Sequence, residues 1–169
     1  MDKMTTQIHI REAVEADASS IQRVARRSWH DTYDSILGSE TVTGCIDAWF
    51  DPQRLVSDDI RPASRPFAVA ETGGNIVGFA ECVPADTPES YVLYRLYVDP
   101  AHWRDGVGTK LLEQVEQQLR EDGIERLNLS VLSENERAIA FYQTRGFEQV
   151  DTTYQEQFDA ERYKYRKPL

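Results

Sequence analysis

"WRDGVGTKLL", residues 103–112, sets two glycines two positions apart at the start of a run with helical apolar spacing. The strand-like "YRLYVDP" runs into it and "GTKLLEQVEQQLREDG" runs out of it. Leu111, Leu112, Val115 and Leu119 fall on one side of that helix, and Gly123 is placed to stop it. Three readings compete for the glycines. A nucleotide P-loop needs GxxxxGK followed by Ser or Thr, whereas here Thr109 precedes Lys110. A GxGxxG dinucleotide fingerprint fits Gly106 and Gly108 and fails at Leu111. A plain tight turn uses glycine only for its backbone freedom. The context adds something to the turn. Bare N–H groups at a helix start, unshielded by side chains, form an anion site. A pyrophosphate there is held mainly by amides, with Arg104 and Lys110 adding charge at the rim. An acidic chain can therefore hold a polyanion through a positive field that is only local.

The chain is acidic: 29 Asp and Glu against 19 Lys and Arg, a net charge of −10, with 15 Arg and 4 Lys. That balance argues against nonspecific nucleic-acid binding, which relies on basic surface. It reads as a well-solvated acidic surface or, more sharply, as adaptation to a salt-rich cytoplasm where screening relieves self-repulsion. No stretch reaches the ~18 apolar residues of a membrane span. "MDKMTTQIHI" lacks the apolar centre of a secretion signal, so a cytoplasmic location is expected. Cys45 and Cys82 stand alone, without a CxxC or ligand-like spacing to the three histidines. Neither a disulfide nor a metal site is expected. The length of 169 residues reads as one domain over 1–169, with its core from about residue 8 onward.

"QIHIREA" alternates as a first strand, Gln7 to Arg11. Asp17 or Ser19 can cap a helix whose Ile21, Val24, Ala25 and Trp29 share one face. Residues 35–64 are polar and less periodic, with a short helix expected around Thr41 to Phe50 and a loop at "DDIRPASRP". "PFAVAE" and "IVGFAECVP" form a hairpin around Gly73-Gly74-Asn75, and "SYVLYRLYVDP" is a third strand. "RLNLSVL" is a strand, "NERAIAFYQTRG" a shorter helix, and two strands close the chain. The class is mixed α/β with a mostly antiparallel sheet. In the shorter helix Asn135 reads as an N-cap or a functional amide. Tyr142 reads as a partly buried tyrosine with a satisfied hydroxyl or as a site residue.

Taken together, "LYVDP" followed by "WRDGVG", and then "NERAIAFYQTRGF", resemble the two motifs of the GNAT superfamily of acetyl-CoA-dependent N-acetyltransferases. The first has the form [Q/R]-x-x-G-x-[G/A] after a strand ending L-Y-V-x-P. The second has the form N-x-x-A-x-x-F-Y-x-x-x-G-F. One departure stands out: Trp103 occupies the position usually held by Gln or Arg. The resemblance covers nearly the whole chain. It implies a GNAT fold: a mostly antiparallel mixed sheet of six to seven strands with about four helices, and a splayed strand pair that binds CoA.

The resemblance further implies that the pantetheine arm lies between "YRLYV" and "RLNLSVL", pairing with backbone around Leu96, Tyr97 and Val98. The pyrophosphate would rest on Arg104 and the backbone of Asp105, Gly106, Val107, Gly108 and Thr109. An amide from the Leu96–Val98 region would polarise the thioester carbonyl. Tyr142 would protonate the leaving thiolate, and Asn135 would hold the CoA arm or a water. An alkylammonium with a pKa near ~10 must lose a proton before it attacks. Glu81, an acid inside an apolar strand, is the expected base, unless it is an outward-facing or ion-paired residue. Trp29, His30, Tyr33, the stretch to Ser64 and Tyr154 fall in the acceptor region. The expected reaction is acetyl transfer from acetyl-CoA to a primary amine of a small molecule or protein N-terminus, in a ternary complex. The alternatives are a non-catalytic acyl-CoA sensor, a different acyl chain or acceptor, and a regulatory module that forms a homodimer through its closing strands.

Overall fold

The computed structural model describes residues 7–169. Seven strands form one mixed sheet: β1 (His9–Glu12), β2 (Phe67–Thr72), β3 (Asn75–Pro84), β4 (Ser90–Val98), β5 (Arg126–Leu132), β6 (Glu148–Gln155) and β7 (Ala160–Pro168). Their spatial order is β1-β2-β3-β4-β5-β7-β6. Every neighbouring pair is antiparallel except β4 and β5, which run parallel. The helices are α1 (Ala18–Leu37), α2 (Ser39–Trp49), α3 (Pro52–Arg54), α4 (Val107–Glu121) and α5 (Glu136–Gln143). Among the described residues there are thus five α-helices against about four expected; a short α3 is the addition, and it runs on into a π-helical turn, Leu55–Ile60.

Two apolar clusters cover the two faces of the sheet. Ile21, Val24, Ala25 and Trp29 of α1 pack with Val42 and Ile46 of α2 against Val69 and Phe79. Leu111, Leu112, Val115 and Leu119 of α4 pack with Ala80, Leu93, Leu127 and Leu129 on the other face. The period of 3.6 in the helices and of 2 in the strands assigns each residue its side.

The parallel pair decides the shape of the site. β4 and β5 pair only over Ser90–Val92 and Arg126–Asn128, although β4 continues to Val98 and β5 to Leu132. Their separation begins at a bulge. Glu81 on β3 faces Arg95, yet the next residue, Cys82, faces Leu93, which leaves Tyr94 extra. A bulge bends its strand and reverses side-chain parity. Leu93 accordingly packs in the α4 layer, Tyr97 in the α1 layer, and Leu96 and Val98 again toward α4.

Three expectations shift. The first strand is His9–Glu12 rather than Gln7 to Arg11, a difference at a frayed end. Asp17 makes no side-chain cap to α1. Its carboxylate instead accepts from the Arg11 guanidinium at 2.8 and 2.9 Å and from the Val14 N–H at 2.9 Å. The polar stretch 35–64 is mostly helical, including part of the expected loop. Val42, Cys45, Ile46 and Phe50 keep an i, i+3, i+4, i+8 stripe that is buried against α1 and the sheet, and the many polar residues between them mask it in sequence.

Candidate active site

Where β4 and β5 part, a cleft of about 700 Å³ opens. Leu96, Tyr97 and Val98 form one wall, and α5 forms the other through Asn135, Ala138, Phe141 and Tyr142. The turn into α4 closes one end with Arg104, Gly106, Val107, Gly108 and Thr109.

The two glycines of that turn serve different needs. Gly106 sits at φ +80° as the residue before α4, a left-handed conformation that suits glycine. Gly108 has ordinary helical backbone, but a Cβ there would lie 3.3 Å from the Phe141 ring. It is the close approach of α5 that keeps Gly108 small. Arg104 also takes a left-handed φ of +74°, which for a side-chain-bearing residue costs about 1–2 kcal/mol. The first helical bond of α4 runs from the Lys110 N–H to the Gly106 carbonyl at 3.1 Å. The N–H groups of Val107, Gly108 and Thr109 therefore lack helical acceptors and carry the positive end of the helix dipole.

Trp103 is built into this turn. Its indole N–H donates to the Val98 carbonyl at 2.8 Å, and the Arg137 guanidinium stacks on its ring at 3.7 Å. Across the cleft, Asn135 caps α5: its side-chain oxygen accepts from the Ala138 N–H at 3.2 Å. Its amide donates to the Tyr33 hydroxyl at 3.1 Å. Tyr142 lies edge-on to Phe141 and Phe147. Burial, and secondarily Tyr33 and Cys82, push its pKa above the ordinary tyrosine value. The hydroxyl therefore keeps its proton through neutral pH, as a proton donor must.

Three of the expected donor-site and catalytic residues stand apart from the cleft lining: Asp105, Glu81 and Lys110, the last exposed on α4. Asp105 is exposed; its N–H bonds the His102 carbonyl, and its carboxylate turns back to the His102 ring. Glu81 is fully buried on the α1 side of the sheet. Arg65 Nη1 bridges Asp59 (2.6 Å) and Glu81 (3.1 Å), and Arg95 Nη1 bridges the same two acids at 3.4 and 3.3 Å. Burial above all, then the bond to Asp59, raises the Glu81 pKa to about 8, against the opposing pull of Arg95 and Arg65. The carboxyl suspected from sequence is thus perturbed, but its place is the β4 bulge and not the cleft. It takes the ion-paired arrangement that was one of its two expected readings.

The acceptor-region residues divide similarly. Trp29 and Tyr33 are core. His30 is held between Asp34 at 2.7 Å and Thr43 at 3.3 Å. Trp49 on α2 meets Phe158 at the β6–β7 turn, and exposed Tyr154 bonds Asp159. Arg137 and Arg145 were not singled out, yet both line the cleft. A signal for them existed: with Phe141 they recur at i, i+4, i+8, so α5 and the turn that ends it carry two guanidinium groups on one stripe.

Known proteins match this arrangement. Residues 21–147 match the Acetyltransferase (GNAT) family, and the chain belongs to it. It is an acyltransferase of that family, whose acyl donor is acetyl-CoA. The chain is 30% identical over 149 residues to a spermidine N(1)-acetyltransferase of Thermoplasma acidophilum, covering 86% of this chain and 91% of the relative. The PaiA N-acetyltransferase of the same organism, solved in complex with coenzyme A, superposes with a TM-score of 0.86 at 26% identity, over 96% of this chain and 99% of that one. A [ribosomal protein bS18]-alanine N-acetyltransferase of Escherichia coli is 39% identical over 58 residues, 34% of this chain and 39% of its own length. Among the described residues no helix is long and apolar enough to cross a membrane.

Proposed function

We propose that this protein transfers the acetyl group of acetyl-CoA to a primary amine of a small polycationic acceptor of the polyamine class. The observation that carries the acetyl-CoA half is the cleft where β4 and β5 part, with free amides at one end and Tyr142 on its wall. The extended similarity to a spermidine acetyltransferase supports the acceptor class. A net charge of −10 supports it too, since an acidic field draws polycations in.

The residues fit the donor. The Val107, Gly108 and Thr109 amides suit a diphosphate, and the unpaired edge of β4 from Leu96 to Val98 suits an extended amide-bearing arm. Acetyl-CoA supplies an activated thioester. The amine nitrogen forms a bond to the acetyl carbon, the carbon–sulfur bond breaks, the amine loses one proton and the sulfur gains one. Tyr142 is the proton donor to sulfur. Glu81 does not line the cleft and its two oxygens are engaged by Arg65 and Arg95, so the amine proton leaves through water rather than directly to that carboxyl. A β4 amide would stabilise the oxyanion.

The test is thiol release from acetyl-CoA with spermidine, spermine, putrescine and an alanine-first peptide, followed by product mass. Turnover with the polyamines and none with the peptide supports the reading. Turnover with the peptide alone replaces the acceptor. Binding of acetyl-CoA with no turnover on any amine leaves the sensor reading in its place.

A further inference from the structure

Among the described residues, nine of the fifteen arginines lie within salt-bridge distance of a carboxylate. In so acidic a chain that is the expected fate of a guanidinium. Arg104, Arg137 and Arg145 have no such partner among the described residues, and all three line the same cleft. They are not equivalent. Arg145 spends its N–H groups internally, on the Thr109 hydroxyl, the Phe141 carbonyl at 2.9 Å and the Thr144 hydroxyl at 2.9 Å. It braces the end of α5 against the start of α4. Arg104 stands exposed on a left-handed residue of the turn. Arg137 makes no hydrogen bond among the described residues. Its one recorded partner is the Trp103 ring, 3.7 Å below the guanidinium.

That contact seats the exposed guanidinium over the ring and leaves its N–H donors open, as arginine needs to recognise phosphate. The platform is itself fixed, because the Trp103 N–H is tied to the Val98 carbonyl. Position 103 is also where the resemblance noted above leads one to expect a Gln or Arg. The donor missing from the turn is thus supplied from α5, resting on the residue that replaced it. We propose that Arg137 is a phosphate-binding and specificity-determining residue for acetyl-CoA, with Trp103 as its positioning platform. This rests on the acetyl-CoA reading of the cleft.

The experiment is titration calorimetry of the full chain with CoA and 3′-dephospho-CoA, with phosphate-free pantetheine measured as a competitor of CoA. Arg137→Ala is expected to weaken CoA about 10- to 100-fold, the effect of losing charge-assisted hydrogen bonds to an anion, while leaving pantetheine unchanged. Arg137→Lys, which keeps the charge, is expected to bind CoA more tightly than Arg137→Ala, and Trp103→Phe, which keeps an aromatic platform, to retain most of the parent's affinity. A loss confined to CoA assigns the 3′-phosphate, and a loss shared by dephospho-CoA assigns the diphosphate. An Arg137→Ala protein that binds CoA as the parent does, or that loses CoA and pantetheine equally, overturns the proposal alone. A parent protein that binds no CoA overturns the acetyl-CoA reading with it.

Discussion

Replacing Glu81 by Gln should change how stability depends on pH, with a sign opposite to that of an acid held ionised by its ion pairs. The Glu81 carboxyl is fully buried, and its pKa stands at about 8 against an ordinary 4.5. Between those values the folded protein holds a proton that the unfolded chain has released. Unfolding therefore gives up a proton, and rising pH favours the unfolded state. The contribution is fully present below about pH 4.5 and is lost as pH climbs to about 8. At about 1.36 kcal/mol for each pH unit, the ceiling is roughly 5 kcal/mol; water reaching the cluster past partly exposed Arg65 brings the expected loss to a few kcal/mol. Gln is the neutral isostere of the protonated acid, so Glu81→Gln should keep the fold near pH 6 and flatten this slope. The assay is urea unfolding followed by tryptophan fluorescence from pH 5 to 9, for parent and variant. The parent should lose a few kcal/mol relative to Glu81→Gln across the range. A parent that holds or gains stability relative to Glu81→Gln as pH rises would show that the two guanidinium groups outweigh burial and that Glu81 is a charged ion-pair member throughout.

Further outcomes are expected elsewhere. Tyr142→Phe should cut turnover by about 10²–10⁴-fold, the usual effect of losing a proton donor, while CoA affinity holds; unchanged turnover removes the acid role. Gly108→Ala should raise the KM for acetyl-CoA with little effect on stability, because the new methyl, 3.3 Å from Phe141, pushes α5 into the cleft; an unaltered KM would mean the ring yields freely. Gly78→Ala should instead destabilise by about 1–3 kcal/mol, read in a thermal melt, because its Cβ would meet Val107 at 3.0 Å and the Tyr97 carbonyl at 3.2 Å. The melting temperature should rise from low salt to molar KCl as screening relieves the charge of −10; a flat response sinks the salt-adaptation reading.

The sequence by itself determined the elements whose cause is local. The stripe Leu111, Leu112, Val115, Leu119 specifies α4, the turn at Gly73-Gly74 specifies the β2–β3 hairpin, and Asn135 is legible as a cap. The free N–H groups of the glycine turn were legible because they follow from helix geometry alone. Tertiary structure decided what depends on distant partners. Glu81 looks alike in sequence whether it is a base or a buried ion-pair member. Only the bulge beside Arg95, and the arrival of Asp59 and Arg65 from another segment, set its place and its proton. Gly108 reads as a flexible turn residue until Phe141 arrives above it. Trp103 looks like a lost donor until Arg137, 34 positions later, stacks on it. Backbone periodicity and end effects are written into neighbouring residues. Burial, like-charge contact and close approach arise only where the fold brings separate segments together.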